Sequence, residues 1–289
     1  STPLEELHRL DSIPSLPAVV TELLQVIDDP MASAMDVAYI LREDPPLTAR
    51  VLRMANSVIY GSRTQIMSVP QAVMRLGMVE IKNLVMSLGV IRALARLGRK
   101  LDLFGFWQHS LTVALSSEAI ARVLPREGHH DDDEGAFAAG LLHDIGRLVL
   151  DQFYPDAFDR AVTVMEKESI PLVVAERREL GIDHAEIGGL VAERWGLPDP
   201  ITSAIAYHHR PDDLPPTMRR ISTVIRVAEL TCAGHSLGDG LEGLPPVEAT
   251  AEWLALGLTA VQMKDVVEET IAGARKSALL IALSKRPPR

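Results

Sequence analysis

Cysteine occurs once in the 289 residues, at Cys232. No internal disulfide can form, which fits a reducing cytoplasm. Aromatic residues make up only 4% of the chain, too few for the aromatic and β-branched strands of a sandwich. Positive charge is also scarce, with 29 Lys and Arg against 39 acidic residues and a net charge of −10. Such a chain meets repulsion on approaching a phosphate backbone, so non-specific nucleic-acid binding is not expected. The local run Arg92, Arg96, Arg99 and Lys100 is read as a solvated helix end in preference to a basic patch. No uninterrupted apolar run reaches the roughly 20 residues needed to span a bilayer, and no signal peptide is visible. The expectation is a soluble, cytoplasmic protein with no membrane partner. The chain opens on Ser1, not Met, as a processed or excised piece would.

What is present is apolar and helix-forming: 47% hydrophobic residues, rich in Ala, Leu, Val and Met. This composition suits an all-α fold of helices packed on helices. The chain is longer than one average domain, although a single large helical unit of this size is possible.

The stretch from Ala136 to Leu150 (AFAAGLLHDIGRLVL) carries an adjacent His143-Asp144 pair in the middle of an apolar helical segment. Burying a carboxylate beside an imidazole is costly unless something compensates the charge. A divalent metal would do so, since both groups are good ligands for Zn, Fe, Ni or Mn. The alternative is a structural pair, with His143 bonded to a backbone carbonyl and Asp144 capping a helix. The dipeptide taken alone favours that alternative.

The first hundred residues read as short helices punctuated by proline. Ser15-Leu16-Pro17 opens one, stopped at Asp28-Asp29-Pro30; Ser33 and Asp36 resemble a capping box for the next. Asp44-Pro45-Pro46 begins a third, Ser68-Val69-Pro70 a fourth ending at Leu76-Gly77, and a longer stripe runs from Ile81 to Ile91. None carries a convergent set of titratable groups, which suggests an interaction or scaffolding lobe.

Beyond it, a helix from Asp102 to Leu124 carries His109, and residues 127–134 read as a solvated polar connector. Pro155–Glu168 and Pro171–Leu180 are amphipathic. Asp183 is a plausible N-cap with His184 in the first turn behind it. Pro198–His209 ends in the doublet His208-His209, and Thr217–Cys232 places Glu229 among apolar residues, where a carboxylate needs a partner if buried. The glycine-rich stretch 234–240 lacks phosphate-loop spacing and reads as a connector. Helices over 247–256 and 259–284 would pack back on the bundle or dock a partner, with 285–289 fraying. Five histidines and two acids in apolar helical contexts form the candidate set. Taken singly, each is more often a satisfied core residue than a ligand; their convergence by chance is less plausible.

Leu16-Pro17, the turn Asp44-Pro45-Pro46-Leu47-Thr48, Leu52-Arg53-Met54-Ala55-Asn56-Ser57 and the Ile81–Leu88 helix, in that order before the His-Asp stretch, resemble the HDOD family. That family is a signalling-associated, all-helical relative of the HD-domain metal phosphohydrolases, and the resemblance extends to about Gly234. It implies a bacterial-type signal-transduction protein with an N-terminal lobe over 1–98, an HD-like lobe over 99–234, and a connector with C-terminal helices over 235–289. It also implies ligands residue by residue. His109 matches the first histidine of HD domains and His143-Asp144 the name-giving pair. His184, His208 and His209 match extra histidines of the two-metal HD-GYP branch, and Glu229 falls where an aspartate is usual. The implied centre holds two divalent ions, Fe or Mn ahead of Zn or Ni. Asp144 bridges them, with His109, His143 and Glu229 on one ion and His184 and the doublet on the other.

Two departures qualify this. Arg147 stands where the HD-GYP branch has a substrate-facing lysine, keeping the charge but not the geometry. After the doublet the chain reads Arg210-Pro211-Asp212-Asp213-Leu214-Pro215-Pro216, so the Gly-Tyr-Pro signature is missing. An ordinary cyclic-di-GMP phosphodiesterase is therefore not expected. Two classes remain: a signalling protein that binds a protein partner or a small phosphate ligand, and a metal-dependent phosphohydrolase with Asp144 and Arg147 as its catalytic residues. The missing signature and the HDOD resemblance favour the first, the retained ligands the second; the first is preferred.

Overall fold

The computed structural model describes residues 13–27, 31–57, 60, 65–125, 135–235, 237 and 251–284. The turn expected at 28–30, the polar connector at 127–134, most of the glycine-rich stretch and the terminal 285–289 lie outside them. The fold is all-α, with no strand among the described residues. No helix among them is long and apolar enough to cross a membrane. Residues 14–96, with the chain from 278, form one compact unit and residues 97–277 a second.

The first unit contains α1 (Ala18–Ile27), α2 (Ala34–Leu41), α3 (Pro45–Ala55), α4 (Val69–Leu76) and α5 (Met78–Leu94). Their starts follow from local chemistry. Ser33 and Asp36 complete a reciprocal capping box at α2. The Asp44 side chain accepts the Leu47 N–H at α3, and Ser68 accepts the Gln71 N–H at α4, each with proline in the first turn, where its missing N–H costs nothing. Gly77, at φ 88°, turns the chain between α4 and α5. Ile81, Leu84, Val85 and Leu88 of α5 are buried in this unit's core.

The second unit contains α6 (Leu103–Val123), α7 (Ala136–Leu142), α8 (Ile145–Phe153), α9 (Pro155–Glu168), α10 (Leu172–Leu180), α11 (His184–Arg194), α12 (Asp199–Tyr207), α13 (Arg220–Gly234), α14 (Ala251–Ala255) and the start of α15 (Ala260–Ser284). Helix α7 packs on α6, α12 and α13, while α8 packs on α11 and α9. The buried Asp151 carboxylate of α8 accepts the backbone N–H groups of Arg99, Lys100 and Leu101, tying down the chain that leads into α6.

One expectation is corrected here. Residues 136–150 are not one helix: α7 stops at Leu142, α8 starts at Ile145, and His143-Asp144 is the junction. Asp144 leaves the helical region at φ −96°, ψ 8°, and the Arg147 N–H reaches its carbonyl at 2.9 Å. This tight turn moves the pair out of regular helical register. His208 and His209 likewise lie in the turn after α12, not inside it.

Glycine makes the packing around the pair possible. A Cβ on Gly140 would come within 2.8 Å of the Ala114 Cα of α6. On Gly146 it would overlap the His184 carbonyl oxygen and approach the Gly188 nitrogen to 3.0 Å. Helix α8 and the start of α11 therefore meet backbone to backbone. Gly146→Ala is expected to destabilise the fold by about 3 kcal/mol or more, as overpacking against rigid backbone does. Urea denaturation measures this; an unchanged midpoint would mean the two helices do not approach so closely.

Candidate metal centre

The seven residues picked out by the sequence come together in the second unit. His109 comes from the middle of α6, His143 and Asp144 from the α7–α8 junction, and His184 from the first position of α11. His208 and His209 come from the turn after α12, and Glu229 from α13. Each is placed by local structure. Asp183 caps α11 by accepting the Glu186 N–H at 2.8 Å, and Arg177 holds the same carboxylate at 2.7 Å. This fixes the turn that delivers His184.

Asp144 is at the middle of the cluster. Its Oδ2 lies 3.2 Å from His143 Nε2 and 3.5 Å from His109 Nε2. Its Oδ1 lies 3.2 Å from His184 Nε2 and 3.9 Å from His208 Nε2. All five side chains are fully buried. These approaches have ion-pair distances without hydrogen-bond geometry, so both Asp144 oxygens, His143 Nε2 and His208 Nε2 remain without a hydrogen bond. Buried polar atoms in that condition are expensive, and a cation among them would satisfy them together. The residues present fit a metal.

The imidazoles are oriented for it. His143 Nδ1 donates to the Gly140 carbonyl at 2.7 Å and His208 Nδ1 to the Ile205 carbonyl at 2.7 Å. His184 Nδ1 donates to Glu176 Oε2 at 2.6 Å. Each turns Nε2 inward, the arrangement in which a ligating histidine is held by a bond through its other nitrogen. The structural alternative to ligation is thus half met. His143 does bond a backbone carbonyl, but with the nitrogen that faces away from the cluster, and Asp144 makes no side-chain cap.

Three groups have ligand atoms close enough for one ion: His109, His143 and Asp144; His184, His208 and His209; and Asp144, His208 and Glu229. His109 and His143 thus fall in one group, His184, His208 and His209 in another, and Glu229 is grouped with Asp144 and His208. The Glu229 carboxylate has Oε1 3.7 Å from His143 Nε2 and 4.0 Å from His208 Nε2, between the two sets. His209 Nε2 meets His184 Nε2 at 2.8 Å. Arg147, expected to face a phosphate, is wholly buried, with Nη1 3.0 Å from Asp144 Oδ2.

The electrostatics divide the cluster. Burial alone would raise the Asp144 carboxyl, but the Arg147 guanidinium and the neighbouring imidazoles hold it well below the usual carboxylate range. Burial pushes Glu229 up. Burial pulls His208 and His209 well down, helped by the neighbouring imidazoles. His184 goes the other way: burial opposes its charge, yet Glu176 and Asp144 push it up to about 10. Without metal, His184 carries a proton that a metal must displace.

Sequence reasoning missed Glu176. Its spacing held the signal, for it follows Ala175 and precedes Leu180 by four residues, on the buried side of α10. Glu176→Gln is expected to keep the fold and weaken metal binding by roughly 10–100-fold, the usual cost of losing a group that orients a ligand. Metal titration of chelator-stripped protein checks this; unchanged affinity would remove Glu176 from the site.

The HDOD domain pattern matches residues 13–211. A solved structure from Marinobacter aquaeolei VT8, provisionally described as a signal transduction protein, is 28% identical with a TM-score of 0.80, covering 96% of this chain and 60% of that one. A provisionally named phosphohydrolase from Shewanella amazonensis SB2B is 26% identical with a TM-score of 0.72, covering 95% and 97%. An uncharacterised Treponema pallidum (strain Nichols) protein is 26% identical over 223 residues, 77% of this chain; the chain spans only 42% of that curated relative. With the pattern matched over most of its length, from the proline-punctuated first unit through the histidine doublet, this chain belongs to the HDOD domain family.

Proposed function

We propose that this chain is a signal-transduction protein whose histidine–carboxylate cluster binds two divalent ions, and whose output is recognition of a protein partner or small ligand. The observation that carries the reading is Asp144, whose two buried oxygens each face a different set of imidazoles. One carboxylate so disposed can serve two cations roughly 3.5–4 Å apart. His109 and His143 would serve one ion, His184, His208 and His209 the other, with Glu229 available to either. A donor set of imidazole and carboxylate without thiolate favours Fe or Mn, with Zn or Ni also accommodated. The first unit, with no comparable cluster among its described residues, is the natural surface for a protein partner. The Marinobacter relative's description as a signal transduction protein agrees.

The second reading is a metal-dependent phosphohydrolase, favoured by the intact ligand set and the description of the Shewanella relative. Ions bound here would supply Lewis acidity toward a phosphoryl oxygen. In either reading Arg147 offsets the Asp144 charge and holds the carboxylate in place.

Metal analysis of protein purified without chelator or nickel resin is expected to give two ions per chain. Asp144→Ala should lose both, and His184→Ala should keep one, more weakly held. Wild-type protein that takes up no ion on reconstitution, or an Asp144→Ala variant that keeps two, would sink the proposal. With Mn or Fe supplied, cyclic-di-GMP should not be linearised. Phosphate release from a generic ester, abolished by Asp144→Ala, would move the assignment to the second reading.

A further inference from the structure

A cavity of about 590 Å³ opens beside His209, within the range of about 300–1,000 Å³ typical of small-ligand sites. Four arginines line it: Arg210, Arg219, Arg220 and Arg226. With Asp212 the one carboxylate among the lining residues, the excess of positive charge occurs on a chain whose net charge is −10. Arg210 and Arg219 are already balanced, by Glu186 at 2.7 Å and Asp212 at 2.9 Å. Arg226 is balanced poorly: Nη1 is 3.7 Å from Glu229 Oε2 and makes no hydrogen bond.

The cavity touches the metal centre through one side chain. His109, His143, Asp144, His184, His208 and Glu229 have fully buried side chains, whereas His209 keeps 12% of its side chain exposed. His209 lines the cavity and also meets His184. A ligand seated among the arginines would therefore lie against the cluster from solvent. Guanidinium groups present paired donors in a plane that matches the oxygens of a phosphate.

We propose that this cavity binds the phosphate group of a small phosphoester, with Arg226 and Arg219 donating to its oxygens and His209 forming the wall shared with the metal centre. The role of that ligand rests on the metal-centre reading; its binding does not. The bound phosphate would take Arg226 as partner in place of the distant Glu229, whose carboxylate would then be freer for a cation. The ligand and the ions would favour each other through that shared pair.

Calorimetric titration with inorganic pyrophosphate tests the proposal on both chelator-stripped and metal-reconstituted full-length protein, with metal content measured on the same samples. One saturable site is expected in each form, tighter in the metal-loaded one and weakened by added salt. Arg226→Gln and Arg219→Gln should each weaken it about tenfold, the worth of one charge-assisted hydrogen bond. Arg160→Gln, on α9 and paired with Glu179, should leave it unchanged. Circular dichroism and metal content should show both cavity variants folded and able to bind metal. Failure of pyrophosphate to saturate at millimolar concentration, cavity variants that bind like wild type, or succinate binding as tightly as pyrophosphate would each overturn the proposal. Two ions without pyrophosphate binding would refute this cavity alone, and pyrophosphate binding without ions would refute the metal centre alone.

Discussion

Burying the Asp144 carboxylate removes from water a charge whose desolvation costs several kcal/mol even after relaxation, and the second unit is arranged to offset that cost. Arg147 supplies the nearest formal charge, at 3.0 Å on Oδ2. His143 and His109 approach the same oxygen, and His184 and His208 the other. Bringing them there requires α6, α7, α8, α11 and the turn after α12 to converge on one carboxylate. The backbone contact between Gly146 and the start of α11 follows from this, since a Cβ would push His184 away from Asp144. So does the break between α7 and α8, which lets His143 and Asp144 leave regular helical register at the centre of the unit. A continuous helix would set adjacent side chains about 100° apart.

The cluster is also poised electrostatically. His208 and His209 are neutral because burial and the neighbouring imidazoles oppose a charge on them. His184, equally buried, is held protonated by Glu176 on one nitrogen and Asp144 near the other. Glu176 and Asp144 together thus raise this imidazole while burial lowers His208 and His209. In the metal-free chain that proton and the Arg147 guanidinium together take the place of a cation beside Asp144. Ion binding would then be an exchange of charge for charge, which avoids filling a site that was electrically bare.

The helices were largely legible in the sequence because local rules determine where they begin. Ser33, Asp44, Ser68, Asp102 and Asp183 all cap as their spacing implies, and prolines in first turns mark two further starts, at Pro155 and Asp199. The gathering of seven titratable side chains was legible from apolar context and family pattern. What escaped depended on tertiary geometry. The break at His143-Asp144 follows a run of helix formers with no local stop signal. Glu176 sits beside Arg177 and Arg178, whose charge draws attention away from the buried side it shares with Leu172 and Leu180. Arg147 looked like a group for a substrate, because nothing nearby in sequence shows that the helices around it leave it no exposure.

The segment after the doublet brings these strands together. Judged by resemblance, residues 210–216 are a loss, since a Gly-Tyr-Pro signature is missing. In space the same segment contributes Arg210, Pro211, Asp212 and Pro216 to the cavity beside His209; Arg219, just before α13, adds a second arginine, and α13 itself adds Arg220 and Arg226. Glycine and tyrosine would bring flexibility and an aromatic face; arginine brings charge and a planar donor fork. In the proposed ligand site, the missing signature would change what the wall recognises without closing the way to the cluster. The metal residues constrain one another through Asp144 and cannot vary singly without leaving a buried charge exposed to nothing. Arg210 and Arg219 on the cavity wall are less constrained, because their partners Glu186 and Asp212 are at least partly exposed. A fold of this kind could keep its buried cluster intact while the cavity beside His209 changes.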